Sequence, residues 1–115
     1  MRMGFDIYLE WKGQTSEEKD EQYTGYENAG SVGYLRESYG QDSFGCELLF
    51  SEAWKKRNRA RTKIPNTKLK ERMPALVKLL KGMGEPNSEI KHWQDFVKLH
   101  GQLEKANKEP RIAIR

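Results

Sequence analysis

The side chains best suited to binding a charged ligand are concentrated in two stretches, and the first is strongly basic. Within nine residues lie the six cations Lys55, Lys56, Arg57, Arg59, Arg61 and Lys63. Such a cluster can neutralise phosphates through charge-assisted hydrogen bonds, and each contact adds salt dependence to binding. No helix-turn-helix, zinc-finger or RNA-recognition signature accompanies the cluster. It therefore predicts sequence-independent nucleic-acid binding, and the structural alternative is a solvated helix end that keeps the protein soluble.

The second stretch combines tyrosine, arginine and glycine. Tyr34 and Tyr39 offer flat faces with a hydroxyl, and Arg36 offers a fork for a carboxylate or phosphate. Glycines on both sides permit close approach of the backbone to a ligand. Together with Glu37, these residues predict a surface for a nucleotide-like anionic small molecule or for a partner protein. The structural alternative is that Tyr34 and Leu35 pack in the core while Arg36 and Glu37 each pair with residues that neighbour the other.

Catalytic combinations are sparse. Cys46 with His92 or His100 could supply a nucleophile and a base, which gives a third hypothesis of a small hydrolase or transferase. His100 lies on the apolar face of a predicted helix, and a lone cysteine beside Leu48–Phe50 is typical of a small buried hydrophobe. One cysteine and two distant histidines predict no metal site, and no motif predicts a cofactor. A non-enzymatic binding protein is therefore the favoured interpretation.

Length and composition restrict the classes of protein that the chain can form. A chain of 115 residues, 36% hydrophobic and 33% charged, predicts a single domain over residues 1–115 and excludes large barrel or doubly wound enzymes. Twelve aromatic residues argue against disorder. No apolar run is long enough to span a bilayer, and the first residues do not resemble a signal peptide, so we expect a cytoplasmic protein with no membrane partner.

The charge is divided between the two halves of the chain. Residues 1–54 hold four basic and eleven acidic residues, a net charge of −7, whereas residues 55–115 hold seventeen basic and six acidic residues, a net charge of +11. One explanation is that the acidic half packs beside the basic half and neutralises it. The other is a segregated basic face that attracts phosphate.

Alternating residues predict the strands of a small sheet. Phe5, Ile7, Leu9 and Trp11 form one apolar row, which indicates a strand at the start of the chain. We expect a short strand at 32–36 within an otherwise irregular, glycine-rich segment 23–45, and a closing strand at 111–115 that returns beside the first.

Helical periodicity dominates the second half. Apolar residues spaced by three and four predict one helix from about residue 68 to Gly82, with a kink or a break near Pro74, and a second helix from about residue 88 to 107. The short linker between them implies an antiparallel pair. A basic helix from Glu52 to about Arg61, with Ser51 as its N-cap, should precede this pair. A loop or short helix at 13–22 would be capped by Thr15 or Ser16.

The opening residues and a later block are similar to those of known small proteins. Met3 to Trp11, with the order Met-Gly-Phe-Asp, resembles the first strand of small uncharacterised bacterial and phage proteins that open with a Met-Gly-aliphatic-Asp strand, and residues 32–39 resemble a second block in some of them. The likeness covers some seventeen residues and implies no activity and no site residue. It implies a prokaryotic or phage accessory protein.

These elements predict an α+β fold. We expect a small, mainly antiparallel sheet covered by an antiparallel pair of long amphipathic helices, plus the shorter basic helix. The expected partner is an anionic small molecule or a protein, with nucleic acid as the alternative. A domain of this size could also bury apolar area by forming a homodimer.

Overall fold

The computed structural model describes residues 4–38 and 44–115. Its three strands form an antiparallel sheet in the order β2-β1-β3, which confirms that the last strand lies beside the first. The strands are β1 (Gly4–Glu10), β2 (Tyr34–Ser38) and β3 (Arg111–Ile114). The helices are α1 (Ser16–Thr24), α2 (Ala29–Val32), α3 (Gly45–Leu49), α4 (Ser51–Trp54), α5 (Asn66–Gly82) and α6 (Asn87–Lys105), with a 3₁₀ turn at Tyr26–Asn28.

The long helices cover one face of the sheet, as predicted. Ile7 and Leu9 of β1 are fully buried against apolar side chains of α5 and α6, among them Leu76 and Phe96. The stripes at three- and four-residue spacing therefore face inward, and the α+β fold class is confirmed. Pro74 lies inside α5, which continues through it as one helix rather than as two pieces.

The glycine-rich segment contains more regular structure than its sequence predicts. The short helix α2 ends at Gly33, whose φ of 85° is in the left-handed region that glycine adopts at low cost. Because this helix takes up Ala29–Val32, strand β2 begins at Tyr34, two residues later than predicted. A second short helix, α3, begins at Gly45, where a Cβ would lie 2.9 Å from a methyl group of Leu76.

The acidic segment after β1 forms a capped helix. Thr15 accepts from the backbone N–H of Glu18, whose carboxylate accepts in return from the N–H of Thr15. One buried side chain, Gln22, fixes this polar helix to the sheet. Its amide nitrogen donates to the carbonyl oxygens of Leu9 at 2.7 Å and of Gly33 at 3.1 Å. Nothing in the sequence distinguishes Gln22 from its polar neighbours, so this role was not predicted.

The predicted basic helix is wrong in length. Helix α4 ends at Trp54, and residues 55–59 form consecutive turns. The chain then forms a bridge to β3, in which the N–H groups of Thr62 and Ile112 donate to each other's carbonyl oxygens at 2.9 and 2.8 Å. No helix in the described part of the chain combines the length and apolarity needed to cross a membrane.

Candidate anion-binding surface

The described residues of the tyrosine and arginine stretch belong to strand β2, and their polar groups already bind other parts of the protein. Tyr34 is 6% exposed, and its hydroxyl donates to Asp6 Oδ1 at 2.6 Å. Arg36 donates to the same oxygen at 3.0 Å, with both side chains largely buried. An arginine held in this way has less capacity to bind an incoming anion. Tyr39, the fourth predicted ligand residue, lies outside the described residues.

Glu37 is engaged in holding the start of α3. Its two carboxylate oxygens accept from the backbone N–H groups of Gly45 and Cys46, both at 2.7 Å, and the residue is 5% exposed. A carboxylate at the first turn of a helix satisfies N–H groups that have no helical partner. Glu37 therefore acts as a cap, a role that the sequence did not reveal because its partners lie eight and nine residues ahead.

A cleft of about 390 Å³ lies beside Arg36, but the charged residues of its lining are mostly acidic. Arg36 shares it with Glu37, Glu85 and Glu89. Burial raises the pKa of Glu85, and the charges of Glu89 and Glu37 raise it further. Because the cleft disfavours the negatively charged form of one of its own carboxyl groups, it is poorly suited to an anionic ligand.

Two of the three catalytic candidates, Cys46 and His100, are buried, whereas His92 is partly exposed and its Nδ1 lies 3.3 Å from a carboxylate oxygen of Glu89. Cys46 has no exposed surface, and burial together with the neighbouring Glu37 raises the pKa of its thiol far above the usual range. His100 is fully buried, and its Nδ1 lies 3.0 Å from the amide nitrogen of Asn66. Because that amide donates, Nδ1 accepts and the ring is neutral, and burial lowers its pKa. A thiol that stays protonated is a weak nucleophile, so the geometry gives the hydrolase hypothesis no support.

The six cations between residues 55 and 63 are all exposed. We call the segment 55–63 the basic loop. Its backbone is fixed to the outer edge of the sheet by Asn58, which has φ of 63° and donates from its N–H to the carbonyl oxygen of Ile114 at 2.8 Å, and by the bridge at Thr62. The loop therefore presents its charges from a rigid support rather than from the helix that the sequence predicts.

The arginines of the basic loop are positioned by short contacts. The guanidinium of Arg57 lies 4.2 Å from the ring centroid of Trp54 and donates to the carbonyl oxygen of Trp54. Arg59 donates to the carbonyl oxygen of Lys55 at 2.6 Å. Arg61 lies 3.5 Å from Glu10, the one carboxylate paired with the loop among the described residues.

Arg115 adds a further cation that sequence analysis did not assign to this surface. It lies 3.0 Å from Glu10 and, with Arg59 and Arg61, lines a cleft of about 230 Å³ between the loop and β3. The sequence predicts that the last strand lies beside the first, but it does not show that the basic loop pairs with the last strand. Because that pairing was not predicted, Arg115 was not assigned to this surface.

The lysines of the basic loop differ from its arginines. Lys55, Lys56 and Lys63 are exposed, and none of their ammonium groups binds a carboxylate of the described chain. They are therefore the cations of the loop that are most available to a phosphate.

Comparison of the chain with protein-family models, with curated protein sequences and with solved structures finds no match.

Proposed function

We propose that the protein is a non-enzymatic binding protein that takes the phosphodiester backbone of a nucleic acid on the basic loop without reading its sequence. The observation behind this proposal is that the cations of the basic loop are exposed while the backbone that carries them is fixed. Six cations project from nine residues, and the loop is tied to β3 by backbone hydrogen bonds at Asn58 and Thr62. Cations carried by a fixed backbone lose less conformational entropy on binding than cations on a flexible tail.

The competing anion-binding surface at Tyr34, Arg36, Glu37 and Tyr39 has less support. The Arg36 guanidinium and the Tyr34 hydroxyl share Asp6, and Glu37 caps a helix. An anion placed there would have to displace Asp6 and face the carboxylates of the adjacent cleft. The basic loop requires neither change.

The surroundings of Trp54 favour contact with the backbone of a duplex over stacking on unpaired bases. Proteins that bind single strands without sequence preference commonly offer aromatic faces to the bases. Trp54, next to the loop, is covered by Arg57 on its face and packs against Phe5 and Phe44 at 4.8 and 5.5 Å between ring centroids. The loop therefore contributes charge rather than a stacking surface, and we expect duplexes of different sequence to bind with equal affinity.

Fluorescence anisotropy with a labelled DNA duplex of mixed sequence tests the proposal. The variant K55Q/K56Q/K63Q removes three loop charges, and the control K70Q/K98Q/K105Q removes three exposed charges from α5 and α6, so both have the same net charge. We expect the loop variant to bind at least about tenfold more weakly and to reduce the slope of log K against log salt by about two to three. The control should retain most of the affinity.

Because the two variants have the same net charge, a difference between them depends only on where the lysines lie. Equal losses in the two variants would mean that only net charge matters, and this would overturn the assignment to the basic loop. Absence of binding to DNA or RNA duplexes at low salt would overturn the proposed function as a whole.

A further inference from the structure

A second surface, an open groove between α5 and α6, is independent of the basic loop. It has a volume of about 940 Å³ and runs from the start of α5 beside the end of α6 to the middle of both helices. Its floor is apolar and includes Met73, Pro74, Val77 and Val97. The Pro74 ring adds apolar surface and no N–H donor. A group of apolar side chains at the base of an open groove between two helices is a surface that another element can cover.

Positive charge surrounds this floor. Lys70 on α5 and Lys98 and Lys105 on α6 line the groove, and all three are exposed. Glu104, the one carboxylate among the described lining residues, accepts from the backbone N–H of Asn66 at 3.1 Å and so stabilises the start of α5. The groove thus presents three lysines that have no acidic partner among the described residues.

The walls of the groove determine the backbone conformation of what could fill it. Most N–H and C=O groups in the body of an α-helix bind one another, so two helix walls offer an extended peptide no continuous row of backbone partners. An occupant that satisfies its own backbone, as a helix does, fits such walls best. From Asn66 to Val77 the groove follows about three turns of α5, which corresponds to an occupant helix of about twelve residues.

We propose that the groove between α5 and α6 binds an amphipathic helix of a partner protein, with apolar side chains on the floor and acidic side chains against Lys70, Lys98 and Lys105. Lys98 and Lys105 are seven residues apart, so they lie on one face of α6, two turns from each other. Acidic residues at the same spacing on the partner helix match them. The partner helix packs on the pair as a third helix does in a bundle.

The test uses three labelled synthetic peptides of about twelve residues. The first has leucine at helical i, i+3, i+4 and i+7 spacing with glutamates on both flanks. In the second, lysine replaces each glutamate, and in the third, asparagine replaces each leucine. We expect the first peptide to bind and the other two to bind at least about tenfold more weakly, because each lacks one of the two complementary features.

The charge-matched variants locate the binding site on the protein. K70Q/K98Q/K105Q should weaken binding of the first peptide at least about tenfold, whereas K55Q/K56Q/K63Q should leave it unchanged, the reverse of their effects on DNA. Equal binding of the lysine peptide, or equal losses in both variants, would overturn the groove assignment. Failure of the first peptide to bind would also overturn it, and a dimer in sedimentation equilibrium that the substitution Val77→Glu dissociates would then assign the groove to a second copy of this chain.

Discussion

Single residues among the candidate site residues differ in how far the sequence predicts their role. The burial of His100 and Cys46 follows from their apolar neighbours in the sequence, and both are buried. The role of Glu37 does not follow, because a glutamate that binds a ligand and one that caps a helix have the same local sequence. Its partners, the N–H groups of Gly45 and Cys46, lie eight and nine residues ahead in the chain, and no recognisable motif in the sequence links them to Glu37.

The substitution Glu37→Gln tests this cap. In glutamine an NH₂ group replaces one of the two carboxylate oxygens and would face a backbone N–H. Because two donors then oppose each other, we expect a loss of about 2 kcal/mol in the free energy of unfolding. The buried thiol of Cys46 should then react with a thiol reagent about thirtyfold faster in native buffer, since the reagent reaches it through opening of the structure. Urea unfolding and labelling kinetics measure the two effects. The control Glu47→Gln, an exposed neighbour on α3, should change neither, and a wild-type labelling rate in E37Q would contradict the capping role.

At the scale of elements, periodic segments were predictable and the basic loop was not. The stripes of α5 and α6 predict both helices because their burial repeats every three or four residues. The extension of α4 to Arg61 was wrong for a physical reason that lies elsewhere in the chain. The N–H groups of Asn58 and Thr62 bind carbonyl oxygens of β3, more than forty residues away, and this pairing replaces the helical hydrogen bonds.

Helices α4 and α5 are joined by a pH-sensitive ion pair. Arg72 binds Glu52 with two hydrogen bonds of 2.8 Å, and these lower the pKa of Glu52 from 4.5 to about 2. Since the folded state binds fewer protons than the unfolded state between these values, the contribution of Glu52 is present above pH 4.5 and is lost as the pH falls towards 2. Glu52 is one-third exposed, so solvent screening reduces the effect to about 1 kcal/mol.

The substitution Arg72→Met should remove this dependence. In urea unfolding, the difference in stability between wild type and R72M should be largest near neutral pH and should shrink as the pH falls below 4.5. Lys68→Met is the control, because Lys68 lies 3.7 Å from Glu52 and makes no hydrogen bond to it. A stability difference for R72M that is constant over this pH range would show that the ion pair does not perturb Glu52.

Over the whole molecule, the acidic half of the chain neutralises part of the basic half, and part of the basic charge stays segregated on the surface. Glu10 and Glu52 of the acidic half each pair with two cations of the basic half, so some of the field is neutralised internally. The exposed carboxylates Glu17, Asp20 and Glu21 of α1 pair with no cation of the described chain, and the lysines of the basic loop and of the groove between α5 and α6 remain unpaired as well. The sequence gives the net charge of each half of the chain, whereas the tertiary contacts decide which charged side chains have no ion-pair partner.

Amide chemical-shift mapping during titration with a mixed-sequence DNA duplex shows whether the unpaired cations of the basic loop bind phosphodiesters. We expect shifts concentrated at residues 54–63 and along β3 to Arg115, with α5 and α6 little changed. Shifts concentrated at Tyr34 and Arg36, or spread along the groove between α5 and α6, would rule out the basic loop as the DNA-binding surface.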